Sequence, residues 1–315
     1  MNIDVHAHAF GPKFREAAEA IAQGSTTGVR AGGVRDRATP LDWFEPDHAL
    51  RDMDAKSFDM RILSHGPDVN AFTPAQQVEL SRRANDEMIA LVRRHPDRLR
   101  VLVSLPFGDI EASVKELERM STAPEMVGVF MRSNIGGQSP ADPRFEPIWA
   151  KIDALRMPVV EHPAYPVYSK EIRENNNAVI MGYMFETQMM IVRLIQAGIF
   201  EKYSHFPFVV AHTGAGVLDL LHRIDRACMH LPDVNTKLSK KASDYVKQFY
   251  FDTCTFYEPP LMMAHKYIGG DRLMFGTDYP YVDETRGYID ALPLTAADKA
   301  AIMGGNAERL FKLKR

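Results

Sequence analysis

His6 and His8 stand one residue apart at the end of the apolar run that opens the chain, IDVHAH. On an extended strand, residues i and i+2 point to the same face, so the two imidazoles can converge on one metal ion. An isolated H-x-H pair reads equally well as two polar loop residues; its place at the carboxyl end of an apolar strand favours a ligand pair. Three more groups hold the same kind of place. His162 follows PVVE, His212 follows FVVA and precedes T-G-A-G, and Asp278 lies in MFGTDYP. Singly, a His-Pro after a strand is usually a turn, and an Asp before a turn is commonly a helix cap. Together the five groups form a ring of ligands and bases at strand ends. Three imidazoles and one carboxylate suit zinc, or manganese after it, with one position open for water, and they disfavour a hard oxygen-seeking ion such as magnesium. Zinc comes first because it needs no redox partner, and the chain has neither a Walker A loop nor a strand-linked G-x-G-x-x-G. His48, His95, His205, His222, His230 and His265 fall in helical or helix-end stretches and read as surface or packing residues, while His65 ends the second strand and stays open.

The elements that must position these groups are short apolar runs alternating with amphipathic stretches, the sequence form of a parallel sheet with crossover helices. Strands are expected at 2–6, 60–64, 99–105, 126–131, 158–161, 208–211, 250–253 and 273–276. Most are nearly continuous in apolar residues, as strands covered on both faces should be. Helices are expected at 46–56, 74–94, 110–120, 145–155, 184–199, 217–229, 260–267 and 296–303. Eight strand–helix units point to one α/β domain over residues 1–315, a (β/α)8 TIM barrel. Its two long connections, 9–45 and 163–183, are insertions after the first and fifth strands. Both follow the carboxyl end of a strand, where such barrels build active sites, so they read as cover over the site.

Composition narrows the class. A net charge of −3 with interspersed signs gives no general attraction to nucleic acid or an anionic membrane. No stretch approaches the roughly 20 apolar residues of a membrane span, and the N-terminus lacks the pattern of a secretory signal. Cys228 and Cys254 are too few for a disulfide framework, and a cytoplasmic location is the simplest expectation.

In this order, IDVHAH, VVEHP, VVAHTGAG and MFGTDYP resemble the aminocarboxymuconate-semialdehyde decarboxylase family of the amidohydrolase superfamily. The likeness covers nearly the whole chain, including FYFDTC and the terminal GNAERLF. It implies metal ligands at His6, His8, His162 and Asp278, with His212 and Asp278 as the catalytic residues. It also implies an arginine that holds a substrate carboxylate, sometimes across a subunit boundary; this falls on Arg223, and a second falls on Arg37 by ungapped counting, with Arg30 and Arg35 as neighbouring alternatives in the same insertion. On residue type alone, Arg223 reads as half of a helix-face salt bridge. The His-x-His form, in place of a glutamate at the first position, favours zinc. VGVFMRSN places Met131 and Arg132, not lysine, at the end of the fourth strand, which argues for one metal ion.

The resemblance thus implies a metal-dependent nonoxidative decarboxylase of a small unsaturated or aromatic carboxylic acid, working as a homodimer or higher homo-oligomer. In that reading, water activated by the metal and His212 handle the proton while carbon dioxide leaves. The alternative is a hydrolase of a C–C, ester or amide bond, or a hydratase, using the same ligands. Phe10, Tyr165, Phe256, Tyr257 and Tyr279 could pack on a planar substrate, or serve only as packing at the strand ends.

Overall fold

The computed structural model describes residues 1–23, 45–66, 68–172, 174–235 and 237–313. Arg37 and most of the first insertion lie outside the described residues. The strands are β1 (Ile3–Ala9), β2 (Met60–His65), β3 (Leu99–Val103), β4 (Met126–Arg132), β5 (Val159–His162), β6 (Phe208–Val210), β7 (Tyr250–Asp252) and β8 (Leu273–Met274). They form one sheet in the order β1 to β8. With helices between successive strands, this is the expected (β/α)8 topology. Contacts gather into two units, one of Met1–Phe130 with Met274–Arg315, the other of Met131–Leu273.

In the first unit β1 runs parallel to β2, with Asp4 opposite Arg61 and His8 opposite Ser64. The register shifts between Asp4 and Ala7. The chain after β8 returns to the other edge of β1: the Val5 amide donates to Phe275 O and the Asp278 amide to His6 O, at 2.9 and 2.8 Å. Every residue of β1 is buried, which is why the strand reads as a nearly unbroken apolar run. Asp4, His6 and His8 interrupt it, and Asp4 is its one carboxylate. This carboxylate accepts from Arg61 Nε (2.9 Å), Thr277 Oγ1 (2.7 Å), the Thr277 amide (3.1 Å) and the His6 amide (3.2 Å). Arg61 is itself fully buried and also reaches Asp52, at 2.8 Å.

The helices begin and end where their chemistry says they should. For α1 to α3 these are Pro12–Gln23, Pro46–Lys56 and Pro74–Arg94. Helix α2 has Pro46 in its first turn and stops at Ser57 in a left-handed conformation. Helix α3 opens with a Thr73–Gln76 capping box. Helix α1 was not expected, because Gly11 offers no capping side chain. Its N-terminal amides are capped from a distance: Glu87 of α3 accepts from Lys13 N and Phe14 N, each at 3.0 Å. Phe10, Phe14 and Ala18 then pack with Leu80, Ala84 and Phe72 in one buried cluster.

In the second unit β5 pairs with β6 and β6 with β7, all parallel, through Val159↔Phe208 and Val209↔Tyr250. After α4 (Ile110–Ser121) and α5 (Glu146–Leu155), α6 covers Tyr183–Gln196 and α7 covers Val217–His230. Helix α6 is preceded by a π turn, Ala178–Gly182, and ends before Gly198 at φ 75°, earlier than the expected Ile199. The stretch Glu174–Gln196 is long and apolar enough to meet the length and composition of a membrane span, contrary to expectation. Its polar side chains nevertheless bond within the protein: Thr187 donates to Glu161, Gln188 to Ala215 O, and Glu186 accepts from Asn134.

Asp4→Ala should lower the unfolding free energy by about 3 kcal/mol, since it removes the main partner of a buried guanidinium. Urea unfolding at neutral pH measures this. A loss below about 1 kcal/mol, the size of an ordinary substitution, would show that β1 does not depend on the carboxylate.

Candidate metal and proton-transfer site

Strand β1 carries His6 and His8 onto one face, as the i, i+2 spacing requires. Their ring centroids lie 5.2 Å apart with planes nearly perpendicular, at 88°. Asp278 meets them both: its Oδ1 stands 3.4 Å from His6 Nε2 and 3.1 Å from His8 Nε2. Asp278 reaches this place in a left-handed backbone conformation, φ 58°, which aspartate tolerates better than most residues. Its amide is anchored on His6 O, and the His8 amide is anchored on Tyr279 O at 2.8 Å.

The tautomer of His8 follows from its neighbour. Ser64 donates its hydroxyl proton to Ala7 O at 3.1 Å, so at 2.7 Å its oxygen accepts from His8 Nδ1–H. The lone pair is then on Nε2, the nitrogen facing Asp278, which is the form a metal ligand needs. Two imidazole nitrogens and a carboxylate oxygen aimed at one point fit a borderline divalent cation.

The second unit presents His162 at the end of β5 and His212 just after β6, with ring centroids 5.7 Å apart. His162 Nδ1 lies 2.8 Å from both Arg132 Nη1 and Pro163 O. A guanidinium only donates. Nδ1 thus faces a donor and an acceptor at the same distance, and Arg132 also donates to Pro163 O at 3.2 Å. Beside His162 stands Glu161, fully buried, accepting from Thr187 Oγ1 at 2.8 Å and the Ala211 amide at 3.2 Å. Burial pushes its carboxyl up to about 7, against the pull of those two hydrogen bonds.

His212 opens a turn unlike any ordinary helix start. His212, Thr213, Gly214, Ala215 and Gly216 are all left-handed, with φ 53°, 54°, 77°, 51° and 83°. Three of them carry a Cβ, each at a cost of about 1–2 kcal/mol. The turn is held from β7: the Thr213 amide donates to Asp252 Oδ1 at 3.3 Å and its hydroxyl to Asp252 O at 3.1 Å.

Sequence reasoning missed Asp4, Ser64, Glu161 and Asp252. Asp4 and Glu161 did leave a signal, a carboxylate inside an otherwise apolar strand, which must find partners when buried. Ser64 and Asp252 left none. Among the aromatic candidates, Phe10 and Tyr279 are buried in the framework, and Tyr279 donates or accepts at His48 Nδ1, 2.7 Å away. Tyr165 and Tyr257 are exposed. Arg223 is exposed on α7, beside an apolar groove lined by Phe185, Met189, Val192 and Leu220. The alternative reading of Arg223, a helix-face salt bridge, is not formed: no hydrogen bond or ion pair joins it to another described residue.

Comparison with known proteins places this geometry. The amidohydrolase family model matches residues 3–313. Gamma-resorcylate decarboxylase of Polaromonas sp. is 30% identical over 310 residues, covering 90% of this chain and 94% of the relative. The crystal structure of 5-carboxyvanillate decarboxylase from Sphingomonas paucimobilis has a TM-score of 0.90 at 26% identity, covering 99% of each chain. A dihydroxybenzoic acid decarboxylase from Polaromonas sp., solved with manganese and 2-nitroresorcinol, has a TM-score of 0.84 at 26% identity, covering 100% of this chain and 97% of that one.

The buried Glu161 makes a stability prediction. Its folded pKa of about 7 stands above the ordinary 4.5, so its contribution is full below pH 4.5 and is lost as pH rises through 7. In the metal-free protein the loss between pH 5 and 8 should be on the order of 3 kcal/mol. Glu161→Gln should remove that part of the pH dependence. An equal loss of unfolding free energy between pH 5 and 8 for the two proteins, measured by denaturant titration, would refute it.

The ligand motifs, the strand order and the full-length match converge, and the chain belongs to the amidohydrolase family, in the group that includes the nonoxidative decarboxylases its motifs pointed to.

Proposed function

We propose that this protein is a metal-dependent nonoxidative decarboxylase of a small hydroxylated aromatic acid, built as one catalytic domain over residues 1–315. The observation that carries the reading is the convergence of His6, His8 and Asp278 at 3.1–3.4 Å on one face of β1. In this reading His162 supplies the fourth ligand and the ion is zinc by donor type, although manganese occupies the related Polaromonas structure. When bound, the ion supplies positive charge that orients and polarises the acid. The residues do the rest. Ser64 keeps His8 in its ligating tautomer. His212, with Asp278, delivers a proton to the ring carbon that bears the carboxylate. The bond to the carboxylate then breaks, its electron pair restores the ring, and carbon dioxide leaves. The names of the relatives, decarboxylases of resorcylate and 5-carboxyvanillate, support an aromatic substrate. Cys228 and Cys254, both buried and neither in a disulfide among the described residues, agree with a reducing compartment, the cytoplasm.

The test is carbon dioxide release from zinc- or manganese-loaded protein given 2,6-dihydroxybenzoate, substituted salicylates and 5-carboxyvanillate. Formation of a second acid without carbon dioxide would replace the reading with a hydrolase. His212→Ala should keep its metal and lose turnover about 10²–10⁴-fold. His6→Ala should lose metal and recover in part when the ion is in excess. Equal metal loss in both variants would make His212 a ligand instead.

The reading also assigns Arg223 to the substrate carboxylate of a partner subunit, with the groove beside it as the dimer contact. Ile180, Met181 and Phe185 are each at least half exposed, an apolar face that a second copy would cover. Mixing inactive Arg223→Ala with inactive His212→Ala should restore activity that neither has alone, because a mixed dimer regains one intact site. A fully active monomer in light scattering would rule this out.

A further inference from the structure

The geometry points to Thr213 and Asp252 as a clamp that fixes the His212 ring, and so to both as positioning residues. The inference rests on the reading of His212 as the proton-transferring group. A chain leaving β6 could place its next side chain in many directions. Here five successive left-handed residues set one direction, and three of them would leave that region if released. Two features of the turn need glycine. At Gly214 a Cβ would lie 2.8 Å from the Phe251 ring, and Gly216 at φ 83° starts α7. Glycines permit the turn but do not hold it.

What holds it comes from neighbouring elements. Asp252 at the end of β7 receives the Thr213 amide through Oδ1 and the Thr213 hydroxyl through its backbone carbonyl. The same Oδ1 accepts from the Cys254 amide at 3.0 Å, which fixes the carboxylate in turn. From the other side Gln188 of α6 donates to Ala215 O at 2.6 Å. Thr213 and Asp252 are both buried, so water does not compete for these bonds. The residue directly before Thr213 is His212. A loosened turn therefore redirects the ring without removing any group from it.

Thr213→Val tests this. It keeps the β-branched shape and the amide but lacks the hydroxyl, while Thr213→Ser restores the hydroxyl. The readouts are the ring C2–H signal of His212 in histidine-labelled protein, with and without zinc, and steady-state turnover. His212→Asn identifies the signal by its loss. Thr213→Val should shift or split the His212 signal and lower kcat about 10- to 100-fold, with KM and zinc content near wild type. Thr213→Ser should recover both. An unchanged signal in Thr213→Val overturns the clamp. An altered signal with unchanged kcat upholds the clamp and overturns the role given to His212. Should Thr213→Val not fold, Thr213→Ala takes its place and is read in the same way.

Discussion

A carboxylate with no access to water sits beside His6 and His8 on β1. Asp4 gathers four donors from three places in the chain: Arg61 of β2, Thr277 beyond β8, and the amide of His6 on its own strand. Such a group is costly to bury unless every lone pair is used. Once used, it sets the spacing of everything it touches. His6 is two residues along β1 from Asp4, and Asp278 follows Thr277 directly. The meeting of His6 Nε2 with Asp278 Oδ1 is therefore fixed by a hydrogen-bonded hub on the same strand.

The imidazoles are tuned by the groups at their other nitrogen. His8 has a serine oxygen whose own proton is already given to Ala7 O, which leaves one tautomer. His162 has a carbonyl and a guanidinium at the same distance. At His8, hydrogen-bond exclusion leaves the Nε2 lone pair available. His212 differs. Its position depends on backbone conformation, and strained backbone persists only where surrounding contacts over-determine it. In the proposed roles, a ligand is held by the ion as well as by the protein, whereas a proton-transferring side chain has only the protein to aim it.

Much of this was legible beforehand. Strand and helix limits such as Met60–His65, Pro46–Lys56 and Pro74–Arg94 follow from apolar runs, prolines and caps, all local. The chemistry-bearing residues could be found because the fold gathers strand ends, and each candidate followed an apolar run. Helix α1 escaped because its cap, Glu87, lies more than seventy positions away. Arg223 was legible as a candidate by resemblance, but its exposure and the groove beside it belong to the folded surface.

The sequence by itself determined the alternation of strands and helices, the family, and the residue types available to a metal and a proton. Those are properties of local periodicity and order, which a single chain carries openly. Tertiary structure decided which nitrogen of His8 keeps its lone pair, how Asp4 supports β1, why Glu161 holds its proton to about pH 7, and how a left-handed turn aims His212. Each depends on a partner distant in sequence, and burial makes that partner matter, because a polar group removed from water is governed by the few atoms within hydrogen-bond reach.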